Sequence, residues 1–63
     1  MIRIDIPTKL LFKLVNDSPR SISEYIASEY RGDFVTKSPD NNHILIPEGK
    51  LYTLFLLKYG EYL

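Results

Sequence analysis

The residues of this chain that could do chemistry are few, and they do not assemble into a reaction. His43 is the one histidine and there is no cysteine, so neither a metal-ligand set nor a nucleophile with its base can be built from recognisable spacing. His43 reads as a strand-end residue near solvent. Glu29 falls inside the apolar arc of a predicted helix, where a partly dry carboxyl could be poised for proton transfer. A lysine from a neighbouring sheet would neutralise it just as simply. Arg31-Gly32-Asp33 spells the integrin-binding tripeptide, and Asn16-Asp17-Ser18, followed by Pro19, spells a glycosylation sequon. Each is only three residues long, and no secretory context goes with it. No nucleophile, base and orienting group can be placed together. The expectation is a non-enzyme that uses no cofactor and no metal.

Charge narrows the partners further. Eight basic and eight acidic residues give a formal net charge of zero, without the positive footprint that a phosphate backbone selects. Nucleic acid is therefore not favoured. Its weak alternative contacts would be Arg3, Arg20, Arg31 and Lys37, with Lys50 extending that edge and Asp33, Asp40 and Glu48 interspersed along it. The opening Ile2-Arg3-Ile4-Asp5-Ile6 lacks the pattern of a signal peptide, and the longest apolar run, Leu54 to Leu57, is too short to span a bilayer. A cytoplasmic protein with no membrane partner is expected.

Sixty-three residues make a single domain, 1–63, near the size at which hydrophobic burial only just offsets the entropy of ordering the chain. Such domains are usually stapled by disulfides, a metal or a partner. Without cysteine, and with one histidine, a partner is the remaining staple.

The elements that must position these residues are unevenly marked. Ile2, Ile4 and Ile6 alternate with Arg3 and Asp5, the period-two pattern of a strand with one dry face, and Pro7 ends it. Thr8 to Val15 fits two readings. A helix would align Leu10, Leu11, Leu14 and Val15, whereas a strand would align Leu10, Phe12 and Leu14, and the balance tips slightly to strand. Ser21-Ile22-Ser23-Glu24 is a capping box that opens a helix over 21–31, with Ile22, Tyr25, Ile26 and Tyr30 as its apolar stripe and Gly32 at the left-handed C-cap. Ser38-Pro39-Asp40-Asn41 and Ile46-Pro47-Glu48-Gly49 read as turns between strands at Asp33 to Lys37, His43 to Ile46 and Leu51 to Tyr59.

The predicted class is α+β. One capped helix packs on a mostly antiparallel sheet with a C-terminal three-stranded meander, in the order ββαβββ or, if 8–15 is helical, βααβββ. The first order resembles the β-grasp arrangement, in element order alone and with no implied activity. The second opens in a way that is similar to ribbon-helix-helix repressors, although the first helix would be short for that family and the meander has no place in its pattern.

Leu51 to Tyr59 reads as apolar on both faces of a strand, and one short helix can dry only one side of a sheet. Either 8–15 or the C-terminal Tyr62 and Leu63 fold over the second face, or it is a contact patch, and a helical reading of the segment, the least favoured, would also be apolar nearly all round. The candidate interface is Tyr52, Leu54, Leu56, Tyr59 and Tyr62, tyrosine giving large contact area with a polar tip. The functional expectation is a non-enzymatic protein-binding module that self-associates or occludes a partner protein. Small inhibitors and adaptors of viruses and mobile elements are of this kind. The alternative is a small DNA-binding transcription regulator, ribbon-helix-helix-like or winged by the hairpin around Asp40.

Overall fold

Strand β1 (Ile2–Asp5) forms where the alternation predicts it, and Pro7 then supplies the extended residue before helix α1 (Thr8–Asp17). The Leu11 amide donates to the Pro7 carbonyl at 3.0 Å. Residues 8–15 are therefore helical, contrary to the slight preference for a strand. The helix buries Leu10 and Leu14 completely and half-buries Leu11, while Phe12 turns outward at 69% exposure. A strand would have dried Phe12 and left Leu11 wet. Tertiary packing selected the leucine stripe.

Helix α2 (Ile22–Tyr30) starts as predicted, with the Glu24 amide donating to Ser21 Oγ at 3.1 Å, worth about 1 kcal/mol against an uncapped start. Ile26 and Tyr30 are buried, and Ile22 and Tyr25 pack partly buried beside them. Its stop differs from the expectation. Arg31, not Gly32, takes the left-handed conformation, at φ 52° and ψ 35°, and the Arg31 and Gly32 amides both donate to the Ile26 carbonyl. Gly32 serves another need. A Cβ there would lie 2.3 Å from the Leu45 carbonyl oxygen and 3.2 Å from side-chain carbons of Ile26 and Ile46, so glycine lets the end of α2 close onto the sheet.

The computed structural model describes residues 1–38 and 41–63. The two central residues of the turn read at Ser38-Pro39-Asp40-Asn41, and the tip of the proposed wing at Asp40, lie outside them. Strands β2 (Asp33–Ser38) and β3 (Asn41–Ile46) pair antiparallel. Strand β1 joins the other edge of β3, also antiparallel, so the sheet order is β1-β3-β2. A register shift interrupts β2 between Thr36 and Ser38.

The largest departure is at the C-terminus. Lys50–Tyr59 is helix α3, followed by a 3₁₀ turn over Gly60–Tyr62, so there is no third meander strand over 51–59. Gly49 makes the entry with φ 106° and ψ −139°, a conformation open essentially to glycine alone. The Thr53 amide donates back to the Gly49 carbonyl at 3.1 Å. Leu51, Tyr52, Phe55, Tyr59 and Tyr62 recur at three- and four-residue spacing, and as a helix they turn one stripe inward. Phe55 and Tyr59 are fully buried, and the other three pack at the core margin. As a strand, Phe55 and Tyr59 would have shared a face with Thr53.

The expected α+β class thus stands, with three helices and a three-stranded antiparallel sheet among the described residues. All three helices cover one sheet face, since their buried residues join Ile4, Ile6, Ile44 and Ile46 in one cluster. The pleat puts the alternate residues, Arg3, Asp5, His43, Leu45, Asp33 and Val35, on the other face.

Candidate functional site

Helix α3 carries the predicted interface residues but distributes them differently from a strand. Tyr59 is fully buried and is therefore removed from the contact set. Tyr52, Leu56 and Tyr62 are half-buried, and Tyr52 and Tyr62 pack against the core cluster. Leu54, at 43% exposure, keeps its surface position. The residue that the period-two reading missed is Leu57, which stands 79% exposed. Its signal was present in the sequence, since Leu57 lies three positions after Leu54 and a helix places both on one side.

These two leucines line an open groove between α2 and α3, together with Tyr30, Glu29 and Lys58. The groove is backed by aromatic packing. Tyr30 meets Phe55 edge-on at 5.3 Å between ring centres and Tyr25 edge-on at 6.1 Å, and Phe55 tilts against Tyr59 at 5.0 Å. Such pairs add roughly 0.5–1.5 kcal/mol each beyond area burial. Glu29, read as a partly dry acid, is exposed and puts an acid on the groove wall, with Lys58 supplying the base.

A polar chain fixes Lys58. Its ammonium donates to the Tyr25 hydroxyl at 3.2 Å and sits 5.8 Å and 5.5 Å from the ring centres of Tyr25 and Tyr59. Tyr59 donates to Asp17 Oδ2 at 2.8 Å. With that proton committed, the 2.7 Å contact between the two hydroxyls has Tyr25 as donor. Lys13 reaches the other Asp17 oxygen at 3.3 Å. Each hydroxyl donates once and accepts once, and the chain ties α1, α2 and α3 together. The Tyr59 hydroxyl, and secondarily Lys13, hold the Asp17 carboxyl below its ordinary value. Burial first, then its hydrogen bonds, push the Tyr59 hydroxyl well up, and burial does the same to Tyr30. The Tyr25 hydroxyl raises Lys58. Every shift favours the protonation state drawn, so this is a clasp with no proton poised to move near neutral pH.

Other sequence candidates are placed elsewhere. His43 is 6% exposed and not near solvent as read, and its buried Nδ1 has no hydrogen-bond partner. No group of three metal-ligating side chains occurs among the described residues. Of the integrin-like tripeptide, Arg31 is the helix cap, Gly32 is buried and Asp33 begins β2. Asn16 of the sequon is exposed near the end of α1, and its neighbour Asp17 belongs to the clasp. Arg3, Arg20, Arg31 and Lys37 are all exposed, but they lie on β1, the α1–α2 loop, the α2 cap and β2. Arg3 is paired with Asp5 at 3.1 Å, and Arg20 shares a cleft with Asp17, Glu24 and Glu29. No helix among the described residues is long and apolar enough to cross a membrane. Comparison with protein-family models, with curated proteins and with solved structures finds no match.

Proposed function

We propose that this chain is a cytoplasmic, non-enzymatic protein-binding module of the inhibitor or adaptor kind. It acts by covering part of a partner protein with the outward side of α3. The observation that carries the reading is Leu57, 79% exposed beside Leu54 at the mouth of the groove over Tyr30. Scattered exposed leucines need no explanation, but two on one side of a helix beside an apolar recess form a receptive surface. The recess suits one apolar side chain of a partner, with Glu29 and Lys58 available for its polar flanks. The clasp supports this by fixing Lys58 and the walls of the groove before binding, which lowers the ordering cost of association. The cytoplasm suits a fold that contains no cysteine and so draws nothing from an oxidising compartment.

Covering the two leucines would contribute roughly 3 kcal/mol at about 1.5 kcal/mol each, or on the order of a hundredfold in affinity. The test is affinity capture from host extract with the wild type, Leu57→Asp and Phe12→Asp, the last altering an exposed apolar residue on α1. Captured proteins are then purified and titrated against all three. A partner bound by wild type and Phe12→Asp but weakened at least about tenfold by Leu57→Asp, the share of one leucine, supports the reading. Equal retention by Leu57→Asp, with its circular dichroism unchanged, rejects it.

A further inference from the structure

We propose that β1 is a dimerisation edge, pairing antiparallel with β1 of a second copy across a two-fold axis to make one six-stranded sheet, β2-β3-β1-β1-β3-β2. This surface is separate from the α3 groove and does not depend on the function assigned to it.

The argument begins with the phase of the ladder. The Ile6 amide donates to the Asn42 carbonyl at 2.9 Å, and Ile4 and Ile2 stand opposite Ile44 and Ile46. Main-chain groups alternate along a strand in an antiparallel pair. Ile2, Ile4 and Ile6 therefore face β3, and the N–H and C=O groups of Arg3 and Asp5 face away from it, toward the free edge. Their side chains are 55% and 79% exposed, and Met1 beside them is 67% exposed.

An antiparallel two-fold pairing that uses these groups has three registers within reach. One sets Arg3 against Arg3 of the second copy. Another sets Asp5 against Asp5 and Arg3 against Pro7, which has no N–H to give. The third sets Arg3 against Asp5 and Asp5 against Arg3, each a hydrogen-bonded pair, so four main-chain bonds close between copies. It also places Ile4 opposite Ile4 and Ile2 opposite Ile6 on the apolar face. Only this register puts unlike charges across the strands, where like charges are unfavourable. Arg3 already meets Asp5 along its own strand at 3.1 Å, so the two-fold builds a square of alternating charges. The opposite edge, β2, lacks this design. It is broken by its register shift, and the main-chain groups that face outward there belong to Phe34 and Thr36, a blunted edge in place of a charge-matched one.

Sedimentation equilibrium of the full chain from about 1 to about 500 µM covers weak, specific association. The expected result is a monomer–dimer equilibrium for wild type. Arg3→Asp alone or Asp5→Arg alone turns both cross-strand pairs into like charges and raises the dissociation constant at least about tenfold. Mixing the two variants pairs an all-acidic strand with an all-basic one and regains wild-type affinity as a heterodimer. A contact between the Ile4 α-protons of the two copies in a half-labelled NMR sample reads the register without any substitution. A wild-type monomer at the highest concentration overturns the proposal. So do variants that dimerise like wild type, a mixture that fails to associate, or a dimer without the Ile4 contact.

Discussion

Replacing Tyr59 with phenylalanine isolates the hydroxyl that closes the clasp. The ring is fully buried and stays, so no cavity opens, and the change is confined to two hydrogen bonds. One runs to Asp17 at 2.8 Å and has a charged acceptor, a class worth about 1.5–3 kcal/mol. The other comes from Tyr25 at 2.7 Å and is neutral, worth about 0.5–1.5 kcal/mol. Asp17 is 17% exposed and regains some water, and Tyr25 keeps its bond from Lys58. The net loss expected for Tyr59→Phe is therefore about 2 kcal/mol, read as a lower urea midpoint at unchanged m. In a domain of this size that corresponds to a fall in Tm of roughly 8–16 °C.

The pH profile adds a second readout. The Asp17 carboxyl is lowered in the fold, so its contribution is present above the ordinary carboxylate value near about 4 and is lost as pH falls through the folded value. The Tyr59 hydroxyl is raised, so its contribution is present below the ordinary phenol value of about 10 and is lost as pH climbs above it. The stability gap between wild type and Tyr59→Phe should be widest between these limits and should shrink toward both. A loss under about 0.5 kcal/mol, or a gap flat from pH 3 to pH 11, would refute the clasp as a tie between the helices.

The end of α2 gives a contrast of sign between adjacent residues. Gly32→Ala drives a Cβ to 2.3 Å from the Leu45 carbonyl and should cost about 2–3 kcal/mol in urea melts, whereas Arg31→Gly relieves a left-handed residue at φ 52° and should add about 0.5–1 kcal/mol. His43→Leu removes the unpartnered buried Nδ1 and should raise stability by about 1 kcal/mol by the same assay, because a buried polar group without a partner carries its desolvation cost alone. A loss on that substitution would mean that the imidazole has a partner in solution.

Helix α2 could be read directly because its signals are local: Ser21 and Glu24 lie one turn apart, and Ile22, Tyr25, Ile26 and Tyr30 fit one period. The first strand was equally plain from three isoleucines alternating with Arg3 and Asp5. The same local reading failed where apolar residues were too dense to carry one period. Leu10, Leu11, Phe12, Leu14 and Val15 satisfy helix and strand alike, as do Leu51 to Leu57. Which period wins depends on which side chains the rest of the molecule can dry: Leu11 packs with Leu10 and Leu14 while Phe12 stays out, and Tyr52 packs with Phe55 and Tyr59 while Leu57 stays out, only if both segments are helical.

The surface proposed for binding divides in the same way. Sequence alone placed it in the C-terminal segment and picked out Leu54. Folding withdrew Tyr59 into the core and put Leu57 in its place. The clasp had no sequence signal, because Asp17, Tyr25 and Tyr59 are brought together across separations of 34 and 42 residues. Composition and local spacing determined the α+β class, the capped helix and the opening strand, since those depend on interactions within a few residues. The tertiary structure decided the two other helices, the single covered face of the sheet and the exposed leucines, since burial is a property of the whole assembly of elements.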